Sequence, residues 1–259
     1  HERAHETCIN CVQTSWSHFR CVTGGDDGLL RLWDLGSGQL LRTLQGHHNE
    51  IINLDVSWTQ IGHQLMGFCA SASLDDTVKL WNLHAGSEMG TLHVQEGGAT
   101  GVFVNWNTYQ LSVVCEGGIV QLWNCNNMTM VRRIECHHDG ISVCKVEWVQ
   151  DCLCTGSWDG TVKLWVLSDA STFMPYDGHH DVIHALSLSR AHDRLVIGSA
   201  DRTISTWRVS IPECIHVFPQ AGQVWSLLVN WETGHIISNS HNSLKYWNMA
   251  TLVCEVALE

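Results

Sequence analysis

An all-β fold of six repeated four-stranded sheets is what this 259-residue chain predicts, on three observations. The first is a phrase that recurs along the sequence, as in TGGDDGLLRLWDL ending at Leu35, SASLDDTVKLWNL at Leu83 and TGSWDGTVKLWVL at Leu167. The second is the spacing of the tryptophans that close it. Trp33, Trp81, Trp123, Trp165, Trp207 and Trp247 lie 48, 42, 42, 42 and 40 residues apart. A period of about 40–45 residues with four short strands per unit is the pattern of propeller blades, which must stack because one small sheet cannot bury both its faces. The third is a pair of columns that vary together. Eleven residues ahead of the first-strand aromatic column stand His5, His47, Gln95, His137, His179 and Gln220. Six residues ahead of each anchor stand Asp27, Asp75, Gly117, Asp159, Asp201 and His241. Units with His keep Asp, and units three and six lack both. A buried imidazole orphaned from its carboxylate keeps its full desolvation cost, so the two are lost together. The pair therefore touches.

The elements follow in order as one domain over 1–259, with blades at about 1–45, 46–93, 94–135, 136–177, 178–218 and 219–259. Blade one carries His5, Asp27 and Trp33, with Gly25 where other blades place a serine; Thr23 stands two residues earlier as a substitute. Blade two has six extra residues around 61–68, expected as a decorated loop between its first and second strands. Blade three departs at Cys115 and Gly117. Blade four shows the strands best by alternation: 142–148, 152–156 and 161–165, with a short outer strand near Phe173 and Asp159-Gly160 as the tight-hairpin signal. Blade five has Arg190 where the others carry a first-strand aromatic (Trp16, Trp58, Trp106, Trp148, Trp231). Blade six departs at Asn239 and His241, so blades three and six are expected to rely on apolar packing alone. Six blades fill the sequence, and no spare strands are present to clasp a ring. His1 is not a natural start, so the reading favours a seventh blade beyond the termini over a six-bladed ring.

Composition narrows the function. Lys and Arg number 14 against 26 Asp and Glu, a formal charge of −12, too few cations for a large nucleic-acid surface. No run of 18 apolar residues is present to span a membrane. The twelve cysteines do not read as a disulfide framework. Cys21, Cys69, Cys115, Cys144, Cys152 and Cys154 fall in strand-like runs and read as buried reduced thiols, which points to an intracellular, cytoplasmic setting, with the nucleus also open. Cys8 and Cys11 have half the spacing of a zinc site, with no second half. No metal or other cofactor is expected.

These residues resemble the WD-repeat (WD40) β-propeller family, and the resemblance covers essentially the whole chain. It implies a hydrogen-bonded tetrad bracing each blade: His47, Ser73, Asp75 and Trp81; His137, Ser157, Asp159 and Trp165; His179, Ser199, Asp201 and Trp207; and a partial set of His5, Asp27 and Trp33. The aspartate of the family's Trp-Asp pair survives only at Asp34. The resemblance also implies a top face around a central channel. There the residue before each turn Asp is Asp26, Leu74, Glu116, Trp158, Ala200 or Ser240, and a second column runs Asn10, Ile52, Thr100, Ser142, His184, Trp225.

The His–Asp pairs with a nearby serine look like part of a catalytic triad, but they recur in equivalent positions as bracing. The second members of His47-His48, His137-His138 and His179-His180 sit in separate loops, unsuited to sharing one ion. No nucleotide or nucleophile-elbow motif is present. The expected function is a non-catalytic scaffold that binds a protein or peptide, basic or apolar in character, on the top face. Candidate binding residues are Trp158, Trp225, Leu74, Asp26, Ile52 and His184, because Trp158 and Trp225 are the two tryptophans without a packing column. The alternatives are a substrate receptor of a ubiquitin-ligase complex, disfavoured because neither rim column carries Arg or Lys, and an enzyme or small-molecule binder using the channel.

Overall fold

The computed structural model describes residues 5–61, 64–95, 97–172 and 175–258. Every sheet is antiparallel, and consecutive strands are neighbours throughout. Blade one contains β1 (Ile9–Ser15), β2 (Arg20–Gly25), β3 (Leu30–Asp34) and β4 (Leu40–Leu44). Blade two contains β5 (Ile51–Ile61), β6 (Gln64–Ser73), β7 (Thr77–Asn82) and β8 (Ser87–His93). Blade three contains β9 (Ala99–Asn105), β10 (Gln110–Cys115), β11 (Ile119–Asn124) and β12 (Thr129–Glu135). Blade four contains β13 (Ile141–Glu147), β14 (Cys152–Ser157) and β15 (Val162–Val166). Blade five contains β16 (Ile183–Ser189), β17 (Arg194–Ser199), β18 (Thr203–Arg208) and β19 (Glu213–Pro219). Blade six contains β20 (Ser226–Asn230), β21 (His235–Ser240), β22 (Ser243–Asn248) and β23 (Val253–Leu258).

Blade four is thus a three-stranded sheet. The outer strand expected near Phe173 falls in part outside the described residues, and the flanking Thr172 and Tyr176 bridge to Trp165 and Val162. Among the described residues the one helical element is a 3-10 turn, Trp148–Gln150, and no helix is long and apolar enough to cross a membrane. The insertion in blade two is not the loop expected. Its residues lengthen β5 and β6 into a continuous ladder, from Trp58 opposite Gly67 out to Ile61 opposite Gln64. Pairing across this ladder gives the added residues' backbone N–H and C=O groups partners in each other.

The chain divides into two compact units, His1–Glu135 and Cys136–Glu259, of three blades each. Within each unit, the start of one blade's first strand packs on the second strand of the blade before it. A Cβ on Gly24 would lie 2.8 Å from Ile51 Cγ2, one on Gly156 2.7 Å from Ile183 Cγ2, and one on Gly198 2.6 Å from Val224 Cγ1. Glycine is required there by closeness of approach, not by turn geometry. Side chains also complete the exposed ladder edge of β9: Asn53 Oδ1 and Asp55 Oδ2 accept the Val102 and Val104 amides at 3.2 and 2.6 Å.

Repeat columns show which faces are covered. The residues at the outer register, Leu44, Leu92 and Phe218 on outer strands and Tyr176 at its bridge, each followed by another blade in its own unit, are 1–2% exposed. Their counterpart on blade six, Leu258, is 59% exposed, and Leu244 and Ile237 beside it are open as well. On blade one, Val12 is 56% exposed, whereas Leu54, Val102, Leu186 and Leu227 in its column are buried. The same residue type at the same register is therefore core in one blade and surface in another.

Candidate functional site

Each bracing network starts from the hairpin between second and third strands. In blade two, Asp75 Oδ1 accepts the Thr77 amide at 3.0 Å, an Asx-type closure that turns Oδ2 toward the loop entering the blade. There Oδ2 accepts the His48 amide and faces His47 Nδ1, both at 2.9 Å. The other ring nitrogen, Nε2, meets Ser71 Oγ at 2.7 Å, and Ser71 Oγ accepts the Trp81 indole N–H at 2.8 Å. Blade four repeats this with Asp159, His137, Thr155 and Trp165, at 3.1 Å for His–Asp, 2.8 Å for His–Thr and 3.1 Å for Trp–Thr. Blade one repeats it with Asp27, His5, Thr23 and Trp33 at 2.9, 2.8 and 3.0 Å, and Arg31 adds a bond to Asp27.

The hydroxyl differs from the one expected. Ser73, Ser157 and Ser199 do not join the indole. Each instead accepts the amide of the turn aspartate at 3.1 Å and donates to a carbonyl of the entering loop, Asn49, Gly140 or Asp181. Positions 71 and 73 share a face of β6, so alternation cannot separate them. Register does: Ser71 stands opposite Lys79, two residues from Trp81, while Ser73 ends its strand. Thr23 is accordingly the regular position in blade one, not a stand-in for Gly25.

In blade five the second-strand position is Ile197, and the hydroxyl comes from its cross-strand partner, Ser205, which meets His179 Nε2 at 2.6 Å and Trp207 Nε1 at 2.7 Å. His179 Nδ1 faces Asp201 at 2.7 Å. The same exchange serves blade three, where Gln121 opposite Val113 accepts the Trp123 indole N–H at 3.1 Å. In blade six Gln220 replaces the histidine and donates to Ser238, which also takes the Trp247 indole N–H at 2.9 Å. Blades three and six therefore do not rely on apolar packing alone. A polar acceptor for the indole persists in every blade, because an indole N–H buried without one is costly.

The wiring specifies protonation. Trp81 N–H donates to Ser71 Oγ, whose O–H donates to His47 Nε2, and Nδ1–H donates to Asp75. Every donor and acceptor is used with a neutral imidazole. Burial pushes the His47 and His137 pKa values down, against the pull of Asp75 and Asp159. Burial alone would raise Asp75, but the Thr77 hydroxyl, the His48 amide and His47 together bring it to about 2. The hydroxyls of Ser71, Thr155 and Ser205 are buried and already committed. Burial likewise holds the thiols of Cys69, Cys144 and Cys154 well above the usual range, so they stay protonated.

The candidate binding residues lie at the hairpin end of the blades, in both units. In the first unit, Asp26 accepts from Asn10 Nδ2 at 2.7 Å, Leu74 is half-buried against Gly98, and Ile52 is half-buried. In the second unit, Trp158 is 59% exposed on its hairpin. Trp225 is 43% exposed; its ring stacks on His184 at 4.6 Å, the His241 ring lies 6.0 Å away, and its N–H donates to His241 Nδ1 at 3.1 Å. The part of His241 was missed in the sequence, where it registered only as a lost aspartate. The co-occurrence of an unassigned tryptophan with that histidine in blade six is the signal that pairs them.

Comparison with known proteins agrees with this geometry. The pattern described as WD domain, G-beta repeat (WD40) matches residues 2–34, 38–82, 128–166 and 171–208. The unmatched stretches contain Gln95 with Gly117 and Gln220 with His241, the two sites without the His–Asp pair. Among curated relatives, the nuclear distribution protein PAC1 of Fusarium vanettenii is 35% identical over 80 residues, 31% of this chain and 17% of that protein. A bromodomain and WD repeat-containing protein of Dictyostelium discoideum is 32% identical over 81 residues, 31% of this chain and 3% of that protein. Mitochondrial division protein 1 of Neurospora crassa is 29% identical over 109 residues, 41% and 16% of the two chains. The match thus spans less than a fifth of these relatives' own length. The crystal structure of the computationally designed Ika8 protein superposes with a TM-score of 0.82 at 24% identity, over 98% of this chain and 75% of that one. With repeat matches over more than half of its length, this chain belongs to the WD40 family.

Proposed function

We propose that this chain is a non-catalytic protein-interaction scaffold, and that it captures a protein or peptide partner at the hairpin end of its blades through the aromatic rim of the second unit. The observation that carries the reading is the exposure of Trp158 and of the His184–Trp225–His241 stack. Every anchor tryptophan has its indole N–H satisfied inside its own blade, whereas these two present large aromatic area to solvent. Exposed indoles among polar neighbours are what binding centres are built from. A basic or apolar partner suits two rim columns that hold Trp158, His184 and Trp225 within a chain of net charge −12. The buried, fully engaged His–Asp–hydroxyl sets argue for bracing over catalysis. The names of the relatives, nuclear distribution and mitochondrial division, fit an organising role.

Trp158→Ala removes an exposed ring and Trp225→Ala a partly exposed one, and circular dichroism should show both variants folded. In quantitative affinity purification, each should reduce the wild-type set of specific partners at least several-fold. Partner recovery equal to wild type from both folded variants would sink the reading.

A further inference from the structure

A groove of about 470 Å³ opens between blades one and two, away from the hairpin rim, and the extended β5–β6 hairpin builds one of its walls. The corresponding place between blades two and three is filled. There Met128, in a left-handed turn (φ 55), puts its methyl group where a Cβ on Gly90 would come within 2.2 Å, and Trp106 stacks on Phe68 at 5.8 Å. Between blades one and two the same turn position holds Gly86 (φ 73), and Arg42 takes the place of Gly90 across from it. Trp58, in the column of Trp106, packs on the core beside Leu83, and its ring partner is the tilted imidazole of His18 at 6.5 Å instead of a stacked aromatic. Removing a plug and substituting a guanidinium leaves a space that is both open and cationic.

Its lining is mixed. Leu32, Leu83, Leu65 and Trp58 supply apolar surface, and Gln64 contacts His84 at 2.5 Å. Arg20 is neutralised by Asp34 and bonds the carbonyls of His18 and Phe19. Arg42 has no hydrogen bond or ion pair among the described residues, and it lines the groove exposed.

We propose that this groove binds an acidic peptide segment, with one carboxylate on Arg42 and a neighbouring apolar side chain against Trp58 and Leu65. A guanidinium takes a carboxylate with two parallel bonds. One unneutralised cation beside four apolar side chains suits a carboxylate carried on an apolar-flanked chain. A free phosphate asks for several cations. The volume lies within the range of specific ligand sites. The insertion in blade two, which lengthens the hairpin and contributes Gln64 and Leu65, thereby gains a purpose beyond decoration.

The test is fluorescence polarisation with a labelled peptide Ser-Glu-Leu-Glu-Phe-Ser, read alongside the Arg42 side-chain Nε–H resonance of the isotopically labelled protein. Saturable binding that shifts Arg42 is expected. It should weaken at least tenfold for the control peptide with both Glu changed to Gln. It should weaken as much for Arg42→Gln, an exposed change that leaves the fold intact, and for Gly86→Met, which rebuilds the plug of the next blade. Absence of a saturable shift at Arg42, equal binding of the Gln peptide, or equal binding by Arg42→Gln would overturn the proposal. So would a shift produced by inorganic phosphate and not by the peptide, which would mark a small-anion site.

Discussion

Ser71→Ala is expected to lower the unfolding free energy by roughly 2–6 kcal/mol, because one buried oxygen serves two partners. Its loss strands the Trp81 indole N–H and the His47 ring nitrogen together, at about 1–3 kcal/mol for each unsatisfied group. Both partners are buried, so water cannot replace the hydroxyl without a cavity being opened. Ser73→Ala, two residues along the same strand face, removes a hydroxyl that ties the Asp75 amide to the Asn49 carbonyl at the mouth of the hairpin. That change is expected to cost about 1 kcal/mol, since the turn lies close to solvent. Urea unfolding of the two variants separates the assignments. A larger loss for Ser73→Ala than for Ser71→Ala would return the bracing role to the position first expected from the sequence.

The second large effect comes from one column read in two blades. Phe218 on β19 is buried against Trp247 of the following blade, with ring centroids 5.2 Å apart, and also meets His216. Phe218→Ala should cost about 3–5 kcal/mol by lost burial and the cavity left behind. Leu258 holds the same register on β23, opposite Leu244 as Phe218 is opposite Ile204. It is largely solvent-exposed, and Leu258→Ala should change stability by no more than about 0.5 kcal/mol. Comparable losses at both positions would show that the outer face of blade six is covered in solution.

The repeat made the architecture legible because its anchors carry their own physics. An indole every 40 to 48 residues, preceded by a turn aspartate and a loop histidine, can be satisfied only by equivalent sheets. The covariation of the two columns correctly paired His47 with Asp75 and His179 with Asp201. What the sequence hid was anything decided across a strand ladder. Ser71 against Ser73 is a question of register, and Ser205 and Gln121 occupy third-strand positions while doing a job that second-strand residues do in other blades. A linear comparison of repeats aligns Ser205 with Lys79 and Gln121 with Lys163, and so conceals the substitution. The insertion in blade two was visible as six extra residues, but its pairing into a ladder depends on the strands it extends. The Trp225–His241 partnership joins two departures from the repeat that look unrelated in one dimension.

A closed set of bonds, in which the imidazole is neutral and its proton lies toward the carboxylate, leaves recognition to groups outside the blades' interiors. Long-range nitrogen–proton correlation spectra of the histidine rings, recorded from pH 7.5 downward, test this directly. For His47 and His137 a protonated Nδ1 and a bare Nε2 are expected at neutral pH, with the ring still neutral as the pH falls through the ordinary histidine value of about 6.5. A proton on Nε2 in the neutral ring, or an imidazolium already present at pH 7, would contradict it.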